Sequence, residues 1–199
     1  MDNFWNNRYS ESDFAYGKEP NEYFKSKIDS LEQGKVLLPA EGEGRNAVYA
    51  ALKGWEATAF DMSKTGRQKA LQLASESAVE IEYLISDASE FSTDNKYDAI
   101  GFVFSHFGKV QNNKIYPKLA NMVKFGGHLI FECFSIKQIE YSDISGGPRD
   151  IEMLFTTGDI LQLFPDFEII DLAEREKNLN EGKYHVGKAI VINFFGRKK

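Results

Sequence analysis

The feature that most constrains this chain is a glycine-rich turn between a short apolar run and a helical pattern. The apolar run is Val36 to Leu38, and the turn is Glu41-Gly42-Glu43-Gly44. A second apolar strand, Ala57 to Phe60, is closed by Asp61. Strand, glycine turn, helix, strand and acid in this order are typical of the first half of a nucleotide-binding βαβ unit.

The turn and the acid suit a ligand that carries a ribose. Gly42 and Gly44 allow a tight turn and let the backbone approach a ligand where a Cβ atom would clash. Asp61 follows Glu41 by twenty residues and lies at the tip of the second strand. At that distance a carboxylate can accept hydrogen bonds from both hydroxyls of a ribose.

Composition limits the chain to ordinary globular classes. A length of 199 residues, 42 % hydrophobic and 27 % charged, predicts a single domain over 1–199, with an N-terminal lid and helix at 1–34 and a sheet core at 35–199. No apolar stretch approaches the roughly 20 residues that span a bilayer, and the first residues lack a signal-peptide pattern. The single cysteine, Cys133, permits no internal disulfide. We therefore expect a cytoplasmic protein with no membrane partner.

Charge argues against nucleic acid as a partner. The net charge is −6, and the only dense basic run is the tail Arg197-Lys198-Lys199. The three histidines, His106, His128 and His185, lack metal-ligand spacing, so no metal is expected.

The remaining patterns alternate between strands and helices. They predict, in order, a helix over 20–31, a helix capped by Ser63 to about Ser77, strands over 79–85 and 97–104, a helix over 112–124 broken or delayed by Pro117, a strand containing Cys133, an irregular segment over 135–156, a helix capped by Thr157 or Asp159 to Phe164, and strands over 167–173 and 184–195 separated by a turn at 178–182.

Alternating strands and helices favour a parallel sheet covered by helices on both faces. The last two strands are joined only by a turn, so they should pair antiparallel. The expected fold class is α/β, a Rossmann-like seven-stranded, mostly parallel sheet with an antiparallel last strand.

Three stretches carry a family resemblance that covers nearly the whole chain. The first is Phe4-Trp5-Asn6-Asn7-Arg8-Tyr9 together with Tyr16 to Asn21. The second is Leu38 to Ala47, which includes Asn46, and the third is Thr58 to Ser63. With the expected fold, they resemble the class I S-adenosylmethionine-dependent methyltransferases. More narrowly, they are similar to the bacterial group around the tellurite-resistance and thiopurine methyltransferases.

The resemblance implies a cofactor site for S-adenosylmethionine, with S-adenosylhomocysteine as product. The turn from Ala40 through Glu41 and Gly42 to Gly44 would approach the methionine moiety, and Asp61 would hold the ribose. Met62, next to Ser63, would pack on the adenine, whose amino group and ring nitrogen would meet Asp87 and the Ala88 backbone. Phe104 and Ser105 would border the sulfonium, and Tyr9 would lie over the cofactor from an N-terminal lid.

The first motif departs from the family pattern at two positions. The family usually has an acid two residues before the first glycine, and here those places hold Leu38 and Ala40. The methionine amino group then has two candidate acceptors, Glu41 or a backbone carbonyl.

Two residues are candidates for handling the methyl acceptor. His106 follows the fourth strand, whose tip borders the transferable methyl in this fold, and an imidazole can deprotonate or orient an acceptor near neutral pH. Arg149, in the irregular segment, could bind an anionic acceptor. His185 reads more readily as a satisfied strand residue, and Arg8 as a residue that ties the lid down.

These patterns favour a methyltransferase acting on a small molecule, as a monomer or homodimer. No strong base with a partner acid can be assigned, which favours a soft, already anionic acceptor such as a thiolate or a selenium or tellurium oxyanion. One alternative is an NAD(P)-dependent reductase, because Gly42, Gly44 and Ala47 satisfy the dinucleotide fingerprint. Another is an S-adenosylmethionine-binding protein without catalysis.

Overall fold

The fold is built on one seven-stranded sheet. A computed structural model describes residues 2–199, with side chains from Phe4 onward. The strand order is β3-β2-β1-β4-β5-β7-β6. β7 runs antiparallel to both of its neighbours, and the other six strands share one direction. This arrangement confirms the predicted α/β class. The strands are β1 Lys35–Pro39, β2 Glu56–Asp61, β3 Glu82–Ile85, β4 Tyr97–Val103, β5 Val123–Phe134, β6 Phe167–Glu181 and β7 His185–Lys198.

Helices cover both faces of this sheet. The α-helices of the described chain are α1 Asp2–Arg8, α2 Glu22–Ile28, α3 Arg45–Leu52, α4 Lys64–Glu76, α5 Lys109–Ala120, α6 Ser142–Ser145 and α7 Thr157–Leu163, and Ile136–Glu140 and Ile151–Met153 form 3₁₀ turns. None of the described helices is both long and apolar enough to traverse a lipid bilayer.

The core has one apolar layer on each side of the sheet. On the α5 and α7 side it is strongly aromatic, with the rings of Phe102, Tyr116, Phe131 and Phe164 in mutual contact. On the other side, Phe24 of α2 and Ala47 of α3 pack into a cluster with residues of β1 and β5. Burial of both faces fits the near-continuous apolar runs of the central strands.

Pro117 lies inside α5 and does not break it, contrary to the sequence prediction. A proline in a helix interior lacks the N–H of one backbone hydrogen bond and costs about 3 kcal/mol. Tyr116 and Leu119 on the same helix are fully buried in the aromatic layer. Their burial offsets the missing hydrogen bond and keeps the helix continuous.

The cap of α7 is Thr156, whereas the sequence predicted Thr157 or Asp159. Thr156 Oγ1 accepts a hydrogen bond from the Asp159 backbone N–H at 3.1 Å, and Asp159 Oδ2 accepts one from the Thr156 N–H at 2.7 Å. These two bonds form a capping box, in which Asp159 is the second member.

The final hairpin is longer than predicted and rises above the sheet. Residues 178–182 were expected to form the turn, but β6 continues to Glu181 and the turn occupies 182–184. Leu179 is 2 % exposed and packs against Phe134 and Val191, which explains the extension. β5 pairs with β7 only from Val191 onward, so the hairpin tip projects beyond the carboxyl end of β5.

Candidate active site

The glycine turn after β1 is held in left-handed backbone conformations. Ala40 has φ 51°, Gly42 65° and Gly44 86°. Ala40 adopts a left-handed conformation like the two glycines, despite its Cβ atom. The departure in sequence noted above therefore leaves the shape of the turn intact.

Both glycines of the turn are required by close contacts. A Cβ atom on Gly42 would lie 2.5 Å from the Tyr9 hydroxyl, and one on Gly44 would lie 2.5 Å from the Cβ atom of Ala70 in α4. Gly42 thus makes room for the N-terminal segment, and Gly44 lets α3 and α4 pack together.

Asp61 lies against this turn, and its carboxylate can accept further hydrogen bonds. Its Oδ2 accepts the Gly42 N–H at 3.0 Å and its Oδ1 accepts the Ser63 N–H at 2.8 Å. The side chain is buried, and burial raises the pKa of Asp61. A carboxylate has about four acceptor sites, so each oxygen keeps room for a further donor. This arrangement fits a ribose, whose two hydroxyls need one acceptor each.

Glu41 has a structural role that the sequence reasoning missed. Its Oε1 accepts the backbone N–H groups of Asn46 and Ala47 at 2.7 and 3.0 Å, and its Oε2 accepts the Asn46 side-chain amide at 3.2 Å. Burial raises the pKa of Glu41 to about 7. The carboxylate caps the first turn of α3, where Gly44 at the N-cap offers no side chain.

The end of β3 places Asp87 and Ala88 beside Asp61. The Ser86 N–H donates to the Asp61 carbonyl at 3.1 Å. Asp87 is exposed, and its Oδ1 accepts both the backbone and the hydroxyl of Ser89. Ala88 is buried in the core, and Met62 is partly buried next to Asp61. The residues expected around an adenosine therefore share one edge of the sheet.

The N-terminal segment is docked on this edge. Asn6 Oδ1 accepts hydrogen bonds from Ser63 Oγ at 2.8 Å and from the Thr65 N–H at 3.2 Å. Tyr9 is 4 % exposed and stacks on Trp5 with 5.6 Å between the ring centroids. Ser63 thus caps α4 and also anchors α1, a helix that the sequence patterns did not predict.

Aromatic rings from four parts of the chain meet at the tip of β4. We call this group the aromatic compartment, formed by Tyr16, Phe104, His106, Phe134 and His185. Phe104 lies 4.6 Å from Phe134 and 4.8 Å from His185, and His185 lies 4.5 Å from Tyr16, all between ring centroids. His106 stacks on Phe134 at 5.7 Å. The backbone of Phe104 has φ 49°, an uncommon conformation for an aromatic residue.

Both histidines of this compartment have pKa values below the usual range. His106 Nδ1 lies 2.7 Å from the Met153 carbonyl, which can only accept, so Nδ1 carries the proton and Nε2 presents a lone pair. Among the described residues, His106 Nε2 and Ser105 Oγ are both buried and have no hydrogen-bond partner. Burial lowers the pKa of His106 to about 4 and also lowers that of His185.

A buried ion pair borders the compartment. Arg45 Nη2 lies 2.8 Å from Glu181 Oε2, and Arg45 Nη1 donates to the Tyr16 carbonyl at 3.0 Å. Burial raises the pKa of Glu181, but the charge of Arg45 outweighs it and holds this pKa well below its usual range. A cavity of about 280 Å³ opens beside the pair, between residues 16–22 and 177–182. Sequence reasoning missed this pair because its members are 136 residues apart.

Arg149 lies apart from these groups. Its guanidinium pairs with Asp143 at 2.7 Å, and both side chains are more than three-quarters exposed. Over residues 4–199, no three His, Cys, Asp or Glu side chains are grouped so that they could hold a metal ion.

Comparisons with known proteins bear on the fold and the family. Residues 36–127, a little under half of the chain, match the family model described as a methyltransferase domain. No curated protein matches. Among solved structures, TehB from Haemophilus influenzae has a TM-score of 0.75 at 17 % identity and covers 100 % of this chain and 67 % of its own.

Two further structures share the fold. The first was solved for the conversion of a disulfide bond into a thioacetal group during echinomycin biosynthesis, with a TM-score of 0.74 at 16 % identity, over 91 % of this chain and 82 % of that one. The second is magnesium protoporphyrin IX methyltransferase from Synechocystis PCC 6803 with bound SAH, with a TM-score of 0.68 at 16 % identity, over 88 % and 81 %.

The topology separates the chain from dinucleotide-dependent reductases. Those enzymes use an open parallel sheet in the order 3-2-1-4-5-6. Here an antiparallel strand, β7, is inserted between β5 and β6. Residues 36–127 thus match a methyltransferase domain, and the whole chain shares the fold of solved S-adenosylmethionine-dependent methyltransferases.

Proposed function

We propose that this chain transfers a methyl group from S-adenosylmethionine to a small molecule with a soft nucleophile, such as a thiol or a selenium or tellurium oxyanion. The observation that carries the proposal is the aromatic compartment at the tip of β4. Its walls are aromatic, burial lowers the pKa of both of its histidines, and no carboxylate activates His106.

The edge of the sheet offers a matching group for each part of the cofactor. Asp61 would take the ribose hydroxyls, Asp87 and Ala88 the adenine, and the turn at Gly42 the methionine moiety. Tyr9 would close the site from above. When bound, S-adenosylmethionine supplies an electrophilic methyl group on a sulfonium. The chain's own residues align the acceptor and exclude water from it.

The cover over the site favours a small acceptor. The Lys183 N–H at the hairpin tip donates to the Ala15 carbonyl at 3.0 Å. A Cβ atom added to Gly17 would lie 3.3 Å from the Gly182 nitrogen, so the two segments are in close contact. The N-terminal segment and the hairpin tip therefore close over the end of β4, which leaves little room for a macromolecule.

The state of His106 favours an acceptor that needs no general base. A base works best when its pKa is near the operating pH, and a pKa of about 4 gives His106 little driving force at pH 7. A thiolate or chalcogen oxyanion is already nucleophilic. The described neighbours differ in chemistry: one converts a disulfide to a thioacetal, whereas NodS is an N-methyltransferase. The fold alone therefore does not select the acceptor.

The test is a panel of acceptors assayed with radiolabelled S-adenosylmethionine. The panel contains a thiol, tellurite, selenite, a primary amine and a bulk protein. We expect methylation of the thiol or chalcogen compounds, and we expect His106→Ala to retain most of that turnover. The matched control is His128→Ala. His128 is partly buried and lies where β5 begins to pair with β7, away from the compartment.

Two results would contradict the proposal. A clear preference for the amine or the protein would exclude a soft acceptor. Loss of turnover in His106→Ala, with unchanged affinity for S-adenosylhomocysteine, would point instead to an acceptor that must be deprotonated.

A further inference from the structure

Arg8 lies at the wall of the aromatic compartment. It is the last residue of α1, and its side chain is partly buried. Its Nη1 donates to the Tyr16 hydroxyl at 3.2 Å, and its guanidinium carbon lies 3.8 Å from the ring centroid of Tyr184. The guanidinium therefore lies over an aromatic face, which is a favourable position for a cation.

A chain of contacts joins Arg8 to the tip of β4. The Tyr16 ring that meets Arg8 also lies 4.5 Å from the ring of His185, and His185 lies 4.8 Å from Phe104. The charge of Arg8 is thus at one end of the compartment, and the strand tip expected to face the transferred methyl is at the other.

Among the described side chains, Arg8 differs from the other charged groups nearby because no carboxylate lies within ion-pair distance of it. Arg45 is neutralised by Glu181. Glu11, the acid nearest along the chain, pairs with Lys183 at 2.8 Å and accepts the Tyr184 hydroxyl. A partly buried guanidinium without an anion has lost hydration and gained only part of its possible hydrogen bonds.

We propose that Arg8 binds an anionic group of the methyl acceptor, so that the substrates are small molecules with a negative charge beside a flat, apolar body. The proposal rests on the methyl-transfer function above and deepens it. The fork of guanidinium N–H donors matches a carboxylate or an oxyanion in two parallel hydrogen bonds. The rings of Phe104, Phe134 and Tyr16 then contact the apolar body.

This assignment replaces Arg149 as the cation that holds the acceptor. Arg149 is exposed and already paired with Asp143, so an anion there would compete with solvent and with a carboxylate. Lys183 is likewise exposed and paired. Arg8 is partly buried and contacts the compartment, and no described carboxylate pairs with its charge.

The experiment compares two thiols that differ by one carboxylate, 4-mercaptobenzoate and benzenethiol. Binding is measured by calorimetry with and without S-adenosylhomocysteine, and kcat/KM with labelled S-adenosylmethionine. We expect the wild-type protein to bind the carboxylate at least tenfold more tightly. Arg8→Gln should remove this preference by weakening the binding of 4-mercaptobenzoate far more than that of benzenethiol, whereas Arg8→Lys should keep part of the preference. Arg197→Gln, an exposed arginine at the far end of β7, is the control.

The ratio between the two thiols separates recognition from a merely structural role. If Arg8→Gln weakens both thiols equally, Arg8 only holds the N-terminal segment in place, and the proposal is overturned. Equal binding of both thiols by the wild type would overturn it as well. Failure of methyl transfer would appear differently, as an absence of methylated product from either thiol, while the binding ratio would still decide the role of Arg8.

Discussion

Asp61 is the residue on which cofactor binding should depend most strongly. Its two oxygens hold the backbone of the turn and of Ser63 and retain acceptor sites for a diol. We predict that Asp61→Ala lowers the affinity for S-adenosylhomocysteine by about 1–3 kcal/mol, roughly 5- to 150-fold. Calorimetry checks this, with Asp143→Ala at the exposed side chain in α6 as control. Unchanged affinity would mean that Asp61 does not meet the ribose.

His106 should give the protein a measurable sensitivity to acid. Its folded pKa of about 4 lies below the unfolded value of 6.5. Between these values the unfolded chain binds more protons, so stability is full near pH 7 and is lost as the pH falls through this window. We predict that the wild type loses about 2 kcal/mol more than His106→Gln between pH 7 and pH 5.

Denaturant unfolding at the two pH values measures this difference. The other histidines titrate in both proteins and cancel in the comparison. An equal loss of stability in wild type and variant would show that the ring of His106 is not kept neutral by burial.

For single residues, the sequence indicated which positions lie near the site better than it indicated what each side chain does there. Asp61 follows directly from a short motif, because the turn and the strand tip are local features. Glu41 was read as a possible ligand group, but it caps α3 through residues five and six positions onward. Arg8 was read as a residue that ties the lid down, and its contact with Tyr184 was not predicted because no local pattern connects the two residues.

The N-terminal segment is the element that we expect to control access to the site. Tyr9 lies directly over Gly42, and Asn6 anchors α1 to the start of α4. We predict that Gly42→Ala displaces Tyr9, speeds amide exchange over residues 4–18 and weakens S-adenosylhomocysteine binding. The ligand should slow exchange in the same segment of the wild type.

Gly108→Ala is the matched control for this variant. Gly108 also has a positive φ, 82°, so an alanine there is strained as well, but a Cβ atom there would meet nothing within 4 Å. Hydrogen exchange followed by mass spectrometry distinguishes the two. If both variants exchange alike over residues 4–18, the contact between Gly42 and Tyr9 does not hold the segment.

The sequence predicted helix and strand boundaries correctly where a local pattern determines them, and wrongly where tertiary packing does. Ser63 was expected to cap α4, and it does so through the Gly66 N–H at 3.0 Å. Pro117 was expected to interrupt α5, but the buried aromatic layer overrides it. Residues 178–182 were read as a turn, yet Leu179 among them packs on Phe134 and extends the strand.

At the scale of the whole molecule, topology brings the site together. The carboxyl ends of β1, β2 and β3 supply the groups suited to adenosine, and the ends of β4 and β5 supply the aromatic compartment. The projecting hairpin tip then meets the N-terminal segment above them. The alternation of strands and helices predicted the sheet, but the meeting of residues 15 and 183 is a long-range contact that no local pattern records.

The most direct test of this account is calorimetry of the wild-type protein with S-adenosylhomocysteine and, separately, with NADH. Both ligands contain an adenosine that Asp61 could hold, so only a site built for the methionine moiety distinguishes them. The account predicts binding of S-adenosylhomocysteine and much weaker binding of NADH. Tighter binding of NADH would contradict it.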